Sequence, residues 1–158
     1  MKNITEELSF RAAKEEDAEL LIRLYNSAFL ADQLRYGECP AYGRSVDRMR
    51  ASVRAFPKLL IYLGEEPIGV LSARDEGDGN YYLGCLCVVP EFQNRGIGAY
   101  AVRRFIGERP GLRSLRLVTP SDKTENLYFY TKKLGFIEAG FEQDGNVRVT
   151  RLIYKAKQ

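Results

Sequence analysis

The sequence contains no histidine among its 158 residues and only three cysteines. The lack of histidine excludes every mechanism that relies on an imidazole base. Metal binding is also poorly supported, because the cysteines lack the paired C-x-x-C spacing of zinc ligands. The odd cysteine count makes a disulfide framework unexpected, and Cys85 and Cys87 point to the same face of a predicted strand. We therefore expect no bound metal.

Long apolar runs are missing as well. The run Leu59–Leu63 is far shorter than the roughly 20 residues that a membrane span requires. The first seven residues, MKNITEE, are polar and acidic and lack the basic flank and apolar core of a signal peptide. The net charge of +3 is spread without a basic stripe, so no nucleic-acid partner is expected. These features predict a cytoplasmic protein without membrane partners.

The hydrophobic pattern alternates between helix and strand periods along the chain. Acidic residues at 15–17 open a helix whose apolar face repeats at Leu21, Leu24, Tyr25 and Ala28. The glycines and proline of 32–44 predict a loop, and Ser45 can cap a second helix that runs to about Phe56. Further helices are predicted from the turn after residue 89 to about 107 and at 124–134, and strands at 8–12, 59–63, 68–74, 81–89, 114–118, 136–141 and 147–154. The order predicts one α/β domain, 1–158, with a mixed sheet.

The stretch VPEFQNRGIGA, residues 89–99, leaves a strand, crosses a polar turn and starts a helix that no side chain can cap. A helix start leaves about four backbone N–H groups without partners. Glycines at such a start let a phosphate approach those groups, because no Cβ is in the way. The same glycines could simply permit a tight turn, so spacing alone leaves both interpretations open.

Two other phosphate-binding motifs do not fit this stretch. The third glycine of a dinucleotide-binding fingerprint would fall at Ala101, and Val118 stands where the ribose-binding acid would be expected. The phosphate loop of nucleotide triphosphatases requires Gly-Lys-Ser/Thr, which is absent here.

The stretch LCVVPEFQNRGIGAYAV resembles the acetyl-CoA motif of the GNAT superfamily of N-acetyltransferases, V-x-P-x-x-Q/R-x-x-G-x-G/A. The resemblance extends over essentially the whole chain, including the closing Phe-Tyr and Gly-Phe pairs at 129–136. It implies a single-domain GNAT-like fold, with a mostly antiparallel sheet of about six or seven strands and about four helices. It also implies acetyl-CoA as co-substrate, held by Gln93, Asn94, Arg95, Gly96, Ile97, Gly98 and Ala99, with pantetheine along Leu86, Cys87, Val88 and Val89.

By the same resemblance, Asn126 would contact the pantetheine arm and Tyr130 would lie near the thioester sulfur. The chain departs from the family pattern here, because Tyr130 to Gly135 is one residue longer than usual and Thr131 occupies the strict position. One residue rotates a helix by about 100°. Tyr128 and Thr131 are therefore alternatives to Tyr130, whose spacing from Leu127 and Leu134 is also that of ordinary core.

The acceptor amine is the harder group to prepare for acetyl transfer. An alkylamine with a pKa near 10.4 is almost fully protonated at pH 7, a cost of roughly 4.6 kcal/mol, whereas a thiol leaves readily. Without histidine, the base is a carboxylate, or the acceptor has a low pKa of its own. Glu38 is the leading carboxylate because its loop borders the acceptor site in the resembling family, and Tyr36, Tyr42 and Arg44 could line that pocket.

The first hypothesis is therefore an N-acetyltransferase that moves acetyl directly from acetyl-CoA to an amine. A non-catalytic CoA-binding sensor is the alternative, and an interaction domain that has lost the cofactor is a third option. The sequence leaves open whether the acceptor is a small molecule or a protein amine. It also leaves the oligomeric state open, with a homodimer among the options.

Overall fold

The computed structural model describes residues 4–157 and contains a seven-stranded sheet in the order β1-β2-β3-β4-β5-β7-β6. The strands are β1 Leu8–Ala12, β2 Lys58–Leu63, β3 Glu66–Gly77, β4 Asn80–Val88, β5 Ser114–Pro120, β6 Ile137–Asp144 and β7 Val147–Lys155. The helices are α1 Ala18–Tyr36, α2 Val46–Ala55, α3 Ile97–Gly107 and α4 Thr124–Tyr128. Strands β4 and β5 pair in parallel, whereas β1/β2, β2/β3, β5/β7 and β6/β7 are antiparallel. The mixed α/β fold class and the predicted element order are confirmed.

The largest departure from the sequence prediction is the length of α1. This helix continues to Tyr36, so the predicted loop at 32–44 begins only at Gly37. Gly37 adopts a left-handed φ of 73° and its N–H donates to the Gln33 carbonyl, which ends the helix. The apolar pattern could not reveal the last turns because they are exposed, with Leu34 at 76%.

One compact unit comprises residues 4–74 and 84–101 of the described chain. Helix α2 begins as predicted, since the Ser45 side chain accepts a hydrogen bond from the Arg48 N–H at 3.2 Å. Residues 15–17, which were predicted to open the first helix, form a separate 3₁₀ turn, and α1 begins after them at Ala18. Strands β3 and β4 approach closely at Gly69, where a Cβ would lie 2.4 Å from the Cys87 carbonyl oxygen. The buried apolar side chains of this unit include Leu21, Leu24, Met49, Leu60, Ile61, Ile68, Val70, Leu71 and Ile97.

The second unit comprises residues 75–83 and 102–157. Here β4 pairs with β5 over Asn80–Tyr82, and β7 lies between β5 and β6. A β-bulge interrupts the β6/β7 register between Glu138 and Phe141. The buried apolar side chains of this unit include Leu83, Val102, Phe105, Leu112, Leu115, Leu117, Phe136, Val149 and Leu152.

No helix within residues 4–157 is both long enough and apolar enough to cross a membrane. The same residues contain no group of three or more histidine, cysteine, aspartate or glutamate side chains placed to hold a metal ion. None of the three cysteines forms a disulfide within residues 4–157. The prediction that the chain has no signal peptide depended on residues 1–7. The first three of these lie outside the described residues.

Candidate active site

The turn that joins β4 to α3 is held by its own short-range hydrogen bonds. A single 3₁₀ turn at Pro90–Phe92 follows the strand, and the Gln93 side-chain amide donates to the Val88 carbonyl at 2.9 Å. Asn94 and Gly96 then adopt left-handed φ values of 62° and 82°. Both values lie in the left-handed region, which residues with a Cβ other than Asn and Asp rarely adopt.

The start of α3 has no protein cap. The Tyr100 N–H donates to the Gly96 carbonyl at 3.0 Å, and this is the first bond of the helical ladder. Within residues 4–157, no backbone N–H from 94 to 99 donates to a protein acceptor. Ile97 and Ala99 are buried and anchor the helix, while a Cβ built at Gly96 would meet nothing within 4 Å. The turn therefore offers several amide donors beside open space, which suits an anion with several oxygens.

The remaining residues predicted for cofactor binding lie on the end of β4 or in the turn. Cys87 and Val89 are buried, and the Val89 N–H donates to the Ile68 carbonyl at 2.8 Å. Leu86 and Val88 are half-buried. Arg95 is exposed, and its guanidinium carbon lies 5.2 Å from the centroid of the Phe92 ring. Apart from Asn126, the residues predicted for cofactor binding therefore lie at the end of β4, in the turn that follows it and in the first turn of α3.

Glu38 lies on the loop that follows α1, and its side chain is exposed. The loop is pinned at its far end, where the Gly43 N–H donates to the Asn26 side-chain oxygen at 2.9 Å. Arg44 turns back to donate to the Pro40 carbonyl at 2.9 Å and to the Ser52 hydroxyl at 3.0 Å. The loop is therefore ordered by contacts with α1 and α2, while Glu38 itself faces solvent.

The helix that carries Tyr130 changes from α-helical to π-helical winding where the chain has one residue more than the family pattern. Regular α-helix stops at Tyr128, and residues Phe129–Lys133 form a π-helical turn. Such a turn accommodates one extra residue within a helix. The Phe136 N–H then donates to the Tyr130 carbonyl at 2.9 Å. The additional residue counted between Tyr130 and Gly135 is thus absorbed by a local widening of the helix.

The three candidates for the acid have different surroundings. Tyr130 is 7% exposed, and its ring packs edge-on against Phe129 and Phe136 with centroids 5.0 and 5.3 Å apart. The Thr131 hydroxyl donates to the Leu127 carbonyl at 2.6 Å, and Tyr128 is 59% exposed. The Thr131 proton is therefore already engaged in a backbone hydrogen bond, and Tyr130 is the buried tyrosine of this segment.

Asn126 lies on the short helix α4 and is half-buried. Its side-chain amide donates to the Thr119 hydroxyl at 3.1 Å, which ties α4 to β5. An Asn side chain carries two N–H donors and one oxygen acceptor. The bond to Thr119 uses one of the two N–H groups and does not involve the oxygen. Asn126 can thus hold its orientation and still offer a polar contact.

Sequence reasoning missed a buried cationic site on the unit that contains the turn. Lys58, the first residue of β2, is 4% exposed and donates to the Ser72 hydroxyl at 3.1 Å. Burial lowers the pKa of Lys58 to about 8. Tyr25 is fully buried beside it, with the Lys58 nitrogen 5.7 Å from the centroid of the Tyr25 ring. A lone lysine before an apolar strand gives no sign in the sequence that it will be buried.

The thiols of β4 belong to this site too. The neighbouring Cys87 thiol lowers the pKa of Cys85, and Cys85 in turn raises the pKa of Cys87. Burial, with these thiols, raises the pKa of Tyr25. The side chains of Tyr25, Lys58, Cys85 and Cys87 therefore form one electrostatically connected group on the face of β4 that the sequence predicted for the cysteines.

The sequence matches the family model described as the acetyltransferase (GNAT) family over residues 18–136. The chain therefore belongs to the GNAT acetyltransferase family and is an acyltransferase, and nothing in these comparisons supports the non-catalytic alternative. No curated protein is close enough in sequence to be matched to it.

Solved structures share the fold at low sequence identity. An acetyltransferase from Thermus thermophilus is 23% identical with a TM-score of 0.74, covering 94% of this chain and 97% of its own. Spermidine N-acetyltransferase from Vibrio cholerae, solved with CoA and spermine, is 18% identical with a TM-score of 0.75 and coverages of 95% and 96%. A Salmonella typhimurium acetyltransferase that modifies the N-terminal serine of ribosomal protein L7/L12 is 17% identical, with a TM-score of 0.74 and 98% coverage of both chains.

Proposed function

We propose that this protein transfers the acetyl group of acetyl-CoA directly to the primary amine of an acceptor. The row of backbone N–H groups at 94–99 without protein acceptors is the observation that supports it most strongly. The membership of the chain in the GNAT family and the CoA present in a structural neighbour agree with this use of the turn.

The residues of the turn would bind the diphosphate of the co-substrate. The amides of 94–99 would donate to its oxygens, and the start of α3 adds the positive end of the helix dipole. Gly96 and Gly98 keep that surface free of side chains. Leu86, Cys87, Val88 and Val89 would follow the pantetheine arm, and Asn126 would contact it. Acetyl-CoA supplies an acetyl group that is already activated as a thioester.

The protein then has three tasks at the reacting atoms. Backbone N–H groups near Val88, other than the Val89 N–H that donates to the Ile68 carbonyl, would polarise the thioester carbonyl as charge develops on its oxygen. A carboxylate, Glu38 acting through water, would take a proton from the acceptor amine, which is the costlier step at neutral pH. Tyr130 would protonate the departing sulfur, with Tyr128 and Thr131 as the other candidates.

Two measurements test this proposal. Thiol release with a panel of small amines, polyamines and peptide N-termini tests the transfer itself, and no release from any acceptor would contradict it. Gly98→Val tests the turn by calorimetry with CoA, because Gly98 is the second residue of α3 and helical side chains tilt toward the N-terminus of the helix, where the amide donors lie. Losing one or two charge-assisted hydrogen bonds predicts about 10- to 100-fold weaker binding.

The same substitution at the other end of α3 provides the matched control. A Cβ at Gly107 would meet no atom within 4 Å, so Gly107→Val should bind CoA as the wild type does. If Gly98→Val and Gly107→Val bind CoA with equal affinity, the diphosphate does not bind at this turn.

A further inference from the structure

The buried cationic site around Lys58 and Tyr25 also includes Arg44, whose guanidinium lies near the Tyr25 ring. Lys58, Arg44 and Tyr25 each have hydrogen-bond donors that are not used within the described part of the chain. Lys58 has three N–H donors, and the structure gives one of them an acceptor, the Ser72 hydroxyl. Arg44 has five, of which two donate to Pro40 and Ser52. The Tyr25 hydroxyl is buried and makes no hydrogen bond of normal geometry within residues 4–157, and the nearby Cys85 thiol is a weak partner at best. A buried donor of this kind is costly unless something accepts from it.

These donors lie around one aromatic ring. The Arg44 guanidinium carbon is 5.4 Å and the Lys58 nitrogen 5.7 Å from the centroid of the Tyr25 ring. Phe56 also lies against Lys58, with 5.8 Å between its ring centroid and the lysine nitrogen. Since α1, the 37–45 loop and β2 each contribute one of the three donors, the site is assembled from distant parts of the sequence.

No carboxylate neutralises this site. The charged or ionisable groups that shift the pKa of Lys58 are Cys85, Arg44 and Cys87, and none of them is a carboxylate. No ion pair joins Lys58 or Arg44 to a carboxylate within the described residues 4–157. At pH 7 a lysine with a pKa near 8 is still about nine-tenths protonated. The Cys85 thiol, whose pKa is lowered chiefly by Cys87 and also by Lys58 and Arg44, can balance at most one of these two cations. An anion from outside would therefore still relieve the unpaired charge of the site.

The residues of the site differ in exposure. Tyr25, Lys58, Ser72 and Cys87 form a floor with exposures from 0 to 6%. Arg44, Phe56 and Cys85 are half-buried, and Gly84 beside Phe56 is exposed. Cys85 also stands on β4 three residues before Val88, or about 10 Å along the strand at 3.3 Å per residue. A small molecule that spans this distance could reach both places.

We propose that Tyr25, Arg44 and Lys58 bind the carboxylate of the acceptor, so that the acceptor is a small amine that also carries a carboxylate. This inference rests on the proposed function, because it places the acceptor amine near the end of β4. The two carboxylate oxygens accept from the unused donors of the three side chains, and the charge balances that of Lys58 and Arg44. A polyamine, which has only positive charge, is disfavoured at the same place.

Matched pairs of acceptors test the proposal. Glycine, β-alanine, L-methionine, L-phenylalanine and L-glutamate are each compared with the corresponding amide, and spermidine is included, with thiol release as the readout. We expect at least one acid to exceed its amide by 10-fold or more in kcat/KM. Comparable values for the acids and their amides, or a preference for spermidine, would overturn the proposal.

Three variants test whether the preference for an acid over its amide depends on Lys58, Arg44 and Tyr25. Lys58→Met and Arg44→Gln each remove a charge, and Tyr25→Phe removes only the buried hydroxyl and so keeps the ring in place. Each should reduce the preference for the acid to about threefold or less, while CoA affinity measured by calorimetry is unchanged. Arg54→Gln is the matched control, because Arg54 on α2 is exposed and pairs with Glu15. A loss of CoA affinity in Lys58→Met would instead assign the site to a phosphate of the co-substrate.

A binding readout separates this proposal from the proposed function. The pKa of Lys58 is measured by NMR with ¹³C-labelled lysine, and Lys58→Met identifies the signal. An acid that binds at the site should raise this pKa, and its amide should not, whether or not any acetyl is transferred. If thiol release fails with every acceptor but the pKa rises, the carboxylate site stands and the transfer proposal falls. If no acid moves the pKa, the carboxylate site is refuted.

Discussion

Replacing Lys58 by methionine should stabilise the protein at neutral pH. Methionine has nearly the volume and shape of the lysine stem, so it can fill the same space beside Tyr25 and Phe56 without a charge. The wild-type lysine has to be buried as a cation at pH 7, and burial is the main cause of its lowered pKa. The variant removes that cost and also removes the hydrogen bond to Ser72.

The magnitude follows from the pKa of Lys58. A fall from 10.5 to about 8 corresponds to about 3 kcal/mol of lost stability at pH 7. The hydrogen bond from Lys58 to the Ser72 hydroxyl stabilises the folded wild type by about 1 kcal/mol, which offsets part of this loss. Lys58→Met is therefore expected to have a free energy of unfolding about 2 kcal/mol higher at pH 7.

The advantage of the variant should depend on pH in a defined direction. Between about pH 8 and 10.5 the unfolded wild-type chain binds more protons at this lysine than the folded chain does. The wild type therefore gains stability as pH rises through this window, by up to about 1.4 kcal/mol per pH unit. At pH 10.5 the advantage of Lys58→Met should have disappeared, because the amine is then largely neutral in the folded state and half neutral in the unfolded state.

Urea denaturation from pH 6 to 10.5, with a reductant to keep the thiols free, measures this effect. The difference between wild type and Lys58→Met isolates Lys58 from the other groups that titrate in the same range. Lys155→Met is the control, since Lys155 is exposed on β7 and should give a difference below about 0.5 kcal/mol at every pH. Parallel stability curves for wild type and Lys58→Met would show that Lys58 is not held as a buried cation.

Three further substitutions test other parts of the structure. Gly69→Ala should lower the free energy of unfolding by about 3 kcal/mol, because the added Cβ would lie 2.4 Å from the Cys87 carbonyl oxygen; an unchanged urea midpoint would refute this close approach. Ser45→Ala removes the acceptor for the Arg48 N–H and should cost about 1 kcal/mol, which aspartate at the same position should restore. Tyr130→Phe should reduce kcat about 10²- to 10⁴-fold if the hydroxyl is the acid, and an unchanged kcat would leave Tyr130 as part of the aromatic core.

The fold was largely predictable from local patterns. The switch between periods of 3.6 and 2 residues gave the order of helices and strands, and Ser45 correctly marked the start of α2. The end of α1 was misplaced because its last turns are exposed, so that Leu30 and Leu34 do not continue the buried face formed by Leu21, Leu24 and Tyr25. The π-helical turn at Phe129–Lys133 was missed because one additional residue can either rotate a helix or widen it, and only the packed structure decides between them.

The candidate co-substrate turn could be found in the sequence because all its parts are neighbours in the chain. Two glycines after a strand and a polar turn, with no capping side chain, already predict unsatisfied N–H groups. The buried cationic site could not be found in this way. Tyr25, Arg44, Lys58 and Cys85 come from four separate segments. The helical period predicts that Tyr25 is buried, but nothing local indicates that Lys58 is buried or that Arg44 lies beside the same ring.

The sequence by itself determined the succession of elements and the capless start of α3, since both depend on interactions between residues a few positions apart. Only the tertiary structure decided which polar groups lose contact with water. The cost of burying Lys58 and the Tyr25 hydroxyl depends on what the rest of the chain places around them. That environment is created by strand pairing and helix packing between residues that are far apart in sequence.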